Sequence, residues 1–235
     1  MENRPSAHSL RKIKSFLGLD KKTDARQEIK DWALSFMVAA VVYFIILPAL
    51  LNTSSPGVVV ASCSERGYLN IGDILVVQGV NIADLQAPEV NIPAYGGFVP
   101  TFNDAGEVTE LAIGGKTVLL NRSNDIIVYS AYPSSIQIIH RIFVKIKTDQ
   151  GYLLLTKGDA NSLPDQMTAA GDNCIDENIG CISTPITQRM LVGKKILIPI
   201  PLLGHVKLFF CDLTLGKLCD GHSNLGTNYR YALTC

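Results

Sequence analysis

The sequence has no excess of charge of either sign, because 21 Lys and Arg residues balance 21 Asp and Glu residues. It also has no basic stripe interleaved with aromatic residues, which nucleic-acid-binding proteins commonly present to phosphates and bases. Aromatic residues make up 7% of the chain and hydrophobic residues 47%, which favours a β-rich core of Val, Ile and Leu joined to a membrane segment. We therefore expect no nucleic-acid partner, and the composition excludes the disordered and fibrous classes.

One stretch of the chain has no charged residue at all. It is ALSFMVAAVVYFIILPALL, residues 33–51, close to the ~20 residues that a helix needs to cross a bilayer. Eight Lys and Arg residues precede this run, whereas residues 52–63 contain none, so the positive-inside rule places the N-terminus in the cytoplasm. A cleaved secretory signal is the alternative, but its apolar core is usually only about 7–15 residues long. We expect an uncleaved single-pass anchor, irregular near Pro48, and an exoplasmic domain after it.

The segments at the two ends of the chain are less informative. Residues 1–32 form a basic cytoplasmic tail, in which SLRKIKSFLGL is either a short amphipathic helix on the lipid surface or a disordered stretch. Residues 211–235 form a Cys-containing C-terminal tail whose role the sequence does not indicate. The expected membrane is the cell membrane or that of the endoplasmic reticulum.

The cysteines lack the spacing of a zinc site. The six are Cys63, Cys174, Cys181, Cys211, Cys219 and Cys235. No pair has two to four residues between its members, and His205 and His222 are not placed as a ligand pair. In an exoplasmic domain disulfides are permitted, and the short intervals 174–181 and 211–219 favour local pairing, although sequence does not fix connectivity. We expect no metal and no cofactor.

After residue 51 the sequence has no long amphipathic helix pattern and no repeat. It has β-branched runs separated by Gly, Asn and Asp, which predict strands near residues 56–62, 72–79, 108–113, 116–121, 125–131, 136–148, 152–158, 194–200 and 205–210. Gly114 and Gly115 predict a hairpin, and residues 149–151 a second turn. The expected fold class is mainly β, an N-terminal transmembrane helix followed by a β-rich domain over residues 52–210. An insertion of about residues 80–124 is either a substrate-contacting flap or a surface addition.

A few polar residues in these strands have the types that serine hydrolysis requires. A serine hydroxyl is a weak nucleophile until a base takes its proton, and the base needs an orienting carboxylate. Of the four histidines only His140 lies in the interior of a strand pattern, and Asp159 and Asp165 follow the strand that leads back from it. Each residue taken singly has an ordinary structural explanation. Together with Ser62 and Ser64 they predict a serine-hydrolase site.

Four segments in order resemble type I signal peptidases of the archaeal and endoplasmic-reticulum branch. VVVASCSERGYLNIGDILVV is similar to the nucleophile box, S-G-S-M-x-P followed by G-D. DIIVYSAYPSSIQIIHRI contains the H-R that this branch has where the bacterial branch has a lysine base. LLLTKGDANSLPD resembles the T-K-G-D-N-N box with a second aspartate six residues later, and VGKKILIPIPLLGHVKL resembles the G-K-V and I-P-x-x-G segment. The resemblance spans about residues 33–210 and implies a signal-peptidase-like β domain.

The resemblance also implies the role of each residue. Ser64 would be the nucleophile, His140 the general base and Asp165 its orienting carboxylate, with Asp159 supporting the site or sharing that role. The Ser62 hydroxyl and the Ser64 backbone N–H would hold the oxyanion. The implied function is membrane-bound removal of signal peptides from exported preproteins, by cleavage after small residues. The implied partners are those preproteins and the lipid bilayer.

Three departures from the family pattern keep other functions open. Cys63, Glu65 and Gly67 stand where the family has glycine, methionine and proline. A catalytically inert or specificity-altered relative, which binds exported segments as an added strand, is one alternative. A Ser-Lys peptidase that uses Lys145 or Lys157 is another. The sequence gives no indication of accessory subunits.

Overall fold

The computed structural model describes residues 25–132, 136–175 and 180–213, with side chains described as far as Phe209. The predicted amphipathic stretch before residue 25, the predicted pairing of Cys211 with Cys219 and most of the C-terminal tail lie outside these residues. The chain divides into two units, one that ends at Ile46 and one that begins at Leu47.

The apolar run is helical. Helix α1 covers Ala25–Val41, a π-helical stretch covers Val42–Ile46 and helix α2 covers Leu47–Leu51. The π-helical stretch includes the position four residues before Pro48, where a proline ring crowds the backbone carbonyl of an α-helix. The helix Arg26–Leu51 has 26 residues and a mean hydropathy of 2.6, with none of its apolar stretch buried. It is therefore long and apolar enough to cross a membrane.

The described residues after this helix are mainly β, as predicted. The strands are β1 Gly57–Val59, β2 Ile74–Gln78, β3 Glu89–Asn91, β4 Val99–Phe102, β5 Val108–Ile113, β6 Lys116–Leu119, β7 Ile126–Ser130, β8 Gln137–Thr148, β9 Gly151–Lys157 and β10 Leu191–Lys195. A 3-10 turn covers Ile82–Asp84 and helix α3 covers Gly204–Leu213. The larger sheet has the order β1-β2-β10-β7-β8-β3, and β9 also pairs with β8. Only the β3–β8 pairing is parallel.

The smaller sheet, β4-β5-β6, is formed by the insertion. The β5–β6 hairpin turns at Gly114 and Gly115, whose φ angles of 56° and 79° favour glycine, and the pairing of Ile113 with Lys116 confirms this predicted hairpin. Apolar side chains of this sheet share one core cluster with Phe143 and Leu155 of the larger sheet. The insertion is therefore packed against β8 and β9 rather than projecting from the domain.

Two of the predicted strands are wrong in type or extent. Residues 205–210 belong to helix α3, not to a strand. Strand β10 ends at Lys195, although the Ile196 N–H still donates to the Val76 carbonyl over 3.1 Å and Ile200 forms an isolated bridge with Ile74 at the predicted limit. Gly204 begins the helix close against Gly72, whose carbonyl oxygen would lie only 2.7 Å from a Cβ at residue 204.

Candidate active site

The predicted nucleophile lies on a turn at an edge of the larger sheet. Beyond β1 the chain stays paired at Val60, whose N–H donates to the Asp73 carbonyl over 2.9 Å and whose carbonyl accepts from Gly72 over 2.9 Å. The Asp73 carboxylate accepts the N–H of Asn70 over 2.9 Å and stabilises the G-D turn. After Val60 the chain leaves the sheet and turns back, and Ser64 lies half-buried on this turn.

Ser64 lies beside Ser62, the other serine of the predicted site. The Oγ atoms of Ser62 and Ser64 are 3.2 Å apart, and the Ser64 carbonyl accepts the N–H of Ala160 over 2.8 Å. Within the described residues the Ser64 N–H donates to no other group, so it is available to a ligand. Gly67 has a φ of +94°, which a proline ring cannot adopt. The turn conformation thus accounts for this departure from the family pattern.

His140 is positioned by Asp165. It lies on β8 with its ring 3% exposed, and its Nδ1 donates to Oδ2 of Asp165 over 2.6 Å. With the proton of the neutral ring on Nδ1, Nε2 is the acceptor. Burial by itself lowers the pKa of His140, but the charge and hydrogen bond of Asp165, together with Glu65 and Asp159, outweigh burial and raise it. The arrangement is that of a base held in one tautomer.

Asp165 is fixed by several hydrogen bonds that sequence reasoning did not identify. Its backbone N–H donates to the Thr156 carbonyl over 2.9 Å, and its carbonyl accepts the N–H groups of Ile182 and Ser183 over 3.0 and 3.1 Å. The hydroxyls of Tyr129 and Thr156 donate to Oδ2 over 2.8 and 2.5 Å. Its Oδ1 is buried and has no partner among the described residues. Oδ2 of Asp165 therefore accepts three hydrogen bonds, one of them from the imidazole.

Gly158 allows the imidazole and the nucleophile turn to approach each other. A Cβ at Gly158 would lie 2.7 Å from the Ser64 carbonyl oxygen and 2.9 Å from Nε2 of His140. In the described part of the chain Ser64 Oγ is bonded to Ser62 and not to His140. Catalytic hydrogen bonds of ligand-free sites are often long and shorten only when substrate binds. The glycine thus keeps open the space in which Nε2 and the serine can meet.

Asp159, the other predicted carboxylate, pairs with Arg141 instead of His140. Its two oxygens accept Nε and Nη2 of Arg141 over 2.8 and 2.7 Å. Arg141 Nη1 also donates to the carbonyls of Arg122 and Asn124 over 2.6 and 2.8 Å. Burial alone would raise the pKa of Asp159, but the Arg141 hydrogen bonds and charge lower it. The choice that the sequence left open is therefore resolved in favour of Asp165 as the partner of His140.

Glu65 is a buried carboxyl group beside the nucleophile. It is 2% exposed, and its Oε1 accepts the backbone N–H of Asp159 over 3.3 Å. Oε2 is buried without a partner among the described residues. Burial, and next the charge of Asp159, raise the pKa of Glu65 to about 8, although His140 and Arg141 act in the opposite direction. The sequence identified Glu65 as a departure from the family pattern but gave no indication that it is buried.

Ser62, Ser64, Glu65 and His140 line a cleft of about 260 Å³. Its walls are residues 58–62 and residues 136–139, with Ser64, Glu65, His140 and Lys207 also lining it. β1 is the outer strand of its sheet, and β8 pairs with β9 only from Arg141 onward. In the described structure, β1 and the first four residues of β8, 137–140, each have one unpaired edge. An extended chain placed between them could pair with both.

Several other predicted positions lie away from this cleft. Its lining includes neither Cys63 nor any residue of the 80–124 insertion. Cys63 is disulfide-bonded, and Cys174 is joined to Cys181, which confirms that predicted pair. Among the described residues no group of three or more His, Cys, Asp and Glu side chains could hold a metal ion.

Lys145 and Lys157, the candidate bases of a Ser-Lys peptidase, do not line the cleft either. Lys145 Nζ donates to the carbonyls of Ala83 and Leu85 over 2.9 and 3.3 Å and pairs with Glu89 over 3.2 Å. Lys157 is buried, which lowers its pKa. Its Nζ lies 3.4 Å from the Gly158 carbonyl.

Comparison with known proteins adds no assignment to this geometry. No protein-family model matches the sequence, and no curated protein matches it significantly. The site therefore has to be interpreted from its own residues and from the motif resemblance.

Proposed function

We propose that this protein is a membrane-anchored serine endopeptidase that removes signal peptides from exported preproteins, as the motif resemblance implies. The observation that carries the proposal is the pairing of His140 with Asp165 over 2.6 Å in a site whose cleft is also lined by Ser62 and Ser64. The helix Arg26–Leu51 supports membrane attachment. The basic N-terminal flank supports a cytoplasmic N-terminus and an exoplasmic catalytic domain.

In the proposed reaction, Ser64 Oγ attacks the scissile carbonyl carbon while Nε2 of His140 takes the hydroxyl proton. The Asp165 carboxylate stabilises the imidazolium that forms. The Ser64 N–H and the Ser62 hydroxyl donate to the oxyanion, and loss of one such donor typically lowers the rate by ~10²–10³. The imidazolium then protonates the leaving amine, and water attacks the acyl-enzyme by the same route in reverse.

The substrate in this proposal is an extended peptide that lies between the two free strand edges. Main-chain pairing would supply affinity, and alternate side chains would supply specificity. The apolar walls, which include Val60, Ala61 and Ile138, favour small uncharged side chains next to the scissile bond. Attachment to the membrane keeps the site near substrates that are themselves inserted in it, which raises their effective concentration.

The test is cleavage of a preprotein in detergent by the wild type, Ser64→Ala and His140→Ala. Each substitution should lower turnover by several orders of magnitude, and the double variant should be little worse than either, because members of a catalytic unit act together. Ser123→Ala changes an exposed serine of the β6–β7 connection and is the matched control. Binding of preprotein without any turnover would favour the inert-relative alternative.

His140→Lys and the lysine variants separate the proposal from a Ser-Lys mechanism. A lysine at position 140 would face the Asp165 carboxylate with Asp159 nearby, which should keep the lysine charged and unable to accept the serine proton. We expect His140→Lys to be inactive and Lys145→Ala to retain cleavage. If Lys157→Ala abolished cleavage while His140→Ala retained it, the Ser-Lys reading would replace ours.

A further inference from the structure

Among the described residues that line the cleft, Glu65 is the one buried titratable side chain to which the proposed mechanism gives no role. It follows the nucleophile directly in sequence and lines the same cleft as Ser62, Ser64 and His140. Only 2% of its surface is exposed. Burying a carboxyl group costs free energy unless its oxygens are hydrogen-bonded, so the environment of each oxygen indicates what the group is able to do.

The two oxygens of Glu65 are not equivalent. Oε1 accepts the Asp159 N–H over 3.3 Å, whereas Oε2 is buried and bonded to no atom of the described residues. A protonated carboxyl group has one O–H donor. Because an N–H already points at Oε1, the proton belongs on Oε2. Glu65 then carries an unused hydroxyl donor whose oxygen is buried, on a side chain that lines the cleft.

Charged groups on two neighbouring elements determine whether Glu65 keeps this proton. His140 and Arg141 face it from β8, and both favour its ionised form. Asp159, from the loop after β9, opposes ionisation, and Lys157 at the end of β9 interacts with it as well. Burial outweighs the cations and raises the pKa of Glu65 to about 8. At neutral pH the side chain is mainly the uncharged acid.

We propose that Glu65 is a substrate-binding residue, which donates a hydrogen bond from its Oε2 hydroxyl to a main-chain carbonyl oxygen of the peptide in the cleft. This inference rests on the proposed function and specifies how the same site holds its substrate. A main-chain carbonyl is the fitting acceptor because both walls of the cleft are strand edges with apolar side chains. Each residue of an extended peptide carries one such acceptor.

The first test measures kcat/KM against pH with an uncharged peptide substrate in detergent, for the wild type, Glu65→Gln and Glu65→Met. Glutamine retains the size, the acceptor and a neutral donor, whereas methionine removes the donor. At pH 7 Glu65→Gln should match the wild type. Glu65→Met should lose roughly threefold to tenfold, mainly through KM, which is the contribution of one neutral hydrogen bond.

The pH dependence is the second part of this test. As the wild type passes pH 8 and Glu65 ionises, its kcat/KM should fall toward the value of Glu65→Met. Glu65→Gln, which does not titrate, should lack that decline. Equal kcat/KM values for the Gln and Met variants across the pH range would overturn the proposal. Glu65→Leu repeats the measurement if the methionine variant fails to fold.

A second experiment identifies the acceptor. Peptides in which one amide carbonyl at a time is replaced by a methylene group are assayed with the wild type and Glu65→Met. At one position the replacement should weaken the wild type yet cost the variant nothing further, since groups in contact show non-additive losses. Equal losses in both proteins at every position would exclude the hydrogen bond. A wild-type preference for Lys or Arg beside the scissile bond that Glu65→Gln lacks would instead assign Glu65 to side-chain recognition.

The Ser64→Ala variant separates failure of this inference from failure of the proposed function. If Ser64→Ala cleaved the peptide, the proposed function itself would be wrong. If Ser64→Ala were inactive while Glu65→Gln and Glu65→Met behaved alike, only the role of Glu65 would be rejected.

Discussion

The two aspartates that follow β9 are six residues apart in sequence, yet they serve neighbouring residues of β8 in different ways. Asp165 is fully buried and bonds a titratable imidazole, whereas Asp159 forms a two-point contact with a guanidinium that stays charged. Successive residues of a strand point to opposite faces, so one loop can supply both. On one face of β8 an imidazole can therefore exchange a proton, while on the other face a permanent ion pair anchors the loop that carries both aspartates.

The largest effect that would test this comparison is loss of the imidazole partner. Asp165→Asn should lower kcat by ~10³–10⁴, because an amide no longer holds the ring in the productive tautomer or stabilises the imidazolium. The substitution also removes the main influence that raises the pKa of His140, so the acid limb of the remaining activity should move to lower pH. The pH profile of preprotein cleavage measures both the fall in kcat and the shift of the acid limb. Wild-type turnover by Asp165→Asn would mean that Asp165 is not the orienting group.

The second prediction concerns the other carboxylate. Asp159→Asn should lower the free energy of unfolding by about 3 kcal/mol, because it leaves the buried Arg141 guanidinium without its counter-charge. Turnover should change far less than in Asp165→Asn. Denaturant unfolding of the detergent-solubilised protein measures this, with Asp149→Asn in the exposed β8–β9 turn as the control.

The stabilisation by Asp159 should also depend on pH. Its pKa is lower in the folded state than the ordinary 3.8, so its contribution is present above the unfolded value and is lost as the pH falls through the folded one. The difference between the wild type and Asp159→Asn should therefore shrink in strong acid. A difference that stayed constant there would contradict the ion-pair explanation.

A third prediction concerns the stability cost of Glu65. The folded pKa of about 8 against an ordinary 4.5 means that folding requires Glu65 to take up a proton between these values. The cost is absent below the ordinary value, grows as the pH rises and is complete above the folded value. Glu65→Gln should consequently stabilise the protein by about 3 kcal/mol at pH 7 and very little at pH 4. Unfolding at both pH values measures this, and Glu110→Gln is a control at a half-exposed glutamate.

The smallest effect is expected at the hydroxyls that hold Asp165. Tyr129→Phe removes the 2.8 Å donor to Oδ2 at a cost of about 1 kcal/mol. Without this donor the negative charge on Oδ2 is less neutralised, so it attracts protonated His140 more strongly and the acid limb of activity should move to higher pH. This shift is opposite in direction to that of Asp165→Asn. A merely structural role for Tyr129 would leave the limb in place.

Much of the β structure could be predicted because alternation of apolar residues is a local property. The hairpin at Gly114 and Gly115 is such a case, since two positive φ angles require glycine. Residues 205–210 were predicted wrongly because a short apolar run fits a strand or a helix equally well. Its helical form depends on contacts made elsewhere, such as that of Gly204 with Gly72.

The site was predictable as a set of residue types, but not as a set of contacts. Asp159 and Asp165 lie on one loop, and the path of that loop is fixed by the backbone bond from Asp165 to Thr156, which no motif reveals. An inward-facing tyrosine such as Tyr129 has the same sequence pattern as an ordinary core residue. The burial of Glu65 arises from the loops folded over it, so its protonation state could not be inferred from sequence.

The Cys174–Cys181 disulfide has a consequence for when the protein becomes competent. It closes the loop that leads from the Gln166 carbonyl, bonded to Cys174 N–H over 3.0 Å, to the N–H groups of residues 182 and 183 that hold the Asp165 carbonyl. A chain whose thiols are still reduced lacks this brace, so its Asp165 is less firmly placed. Under the proposed function, the newly made protein would be inactive in the cytoplasm and would become active only after export and oxidation. Recombinant protein should accordingly be made in an oxidising compartment.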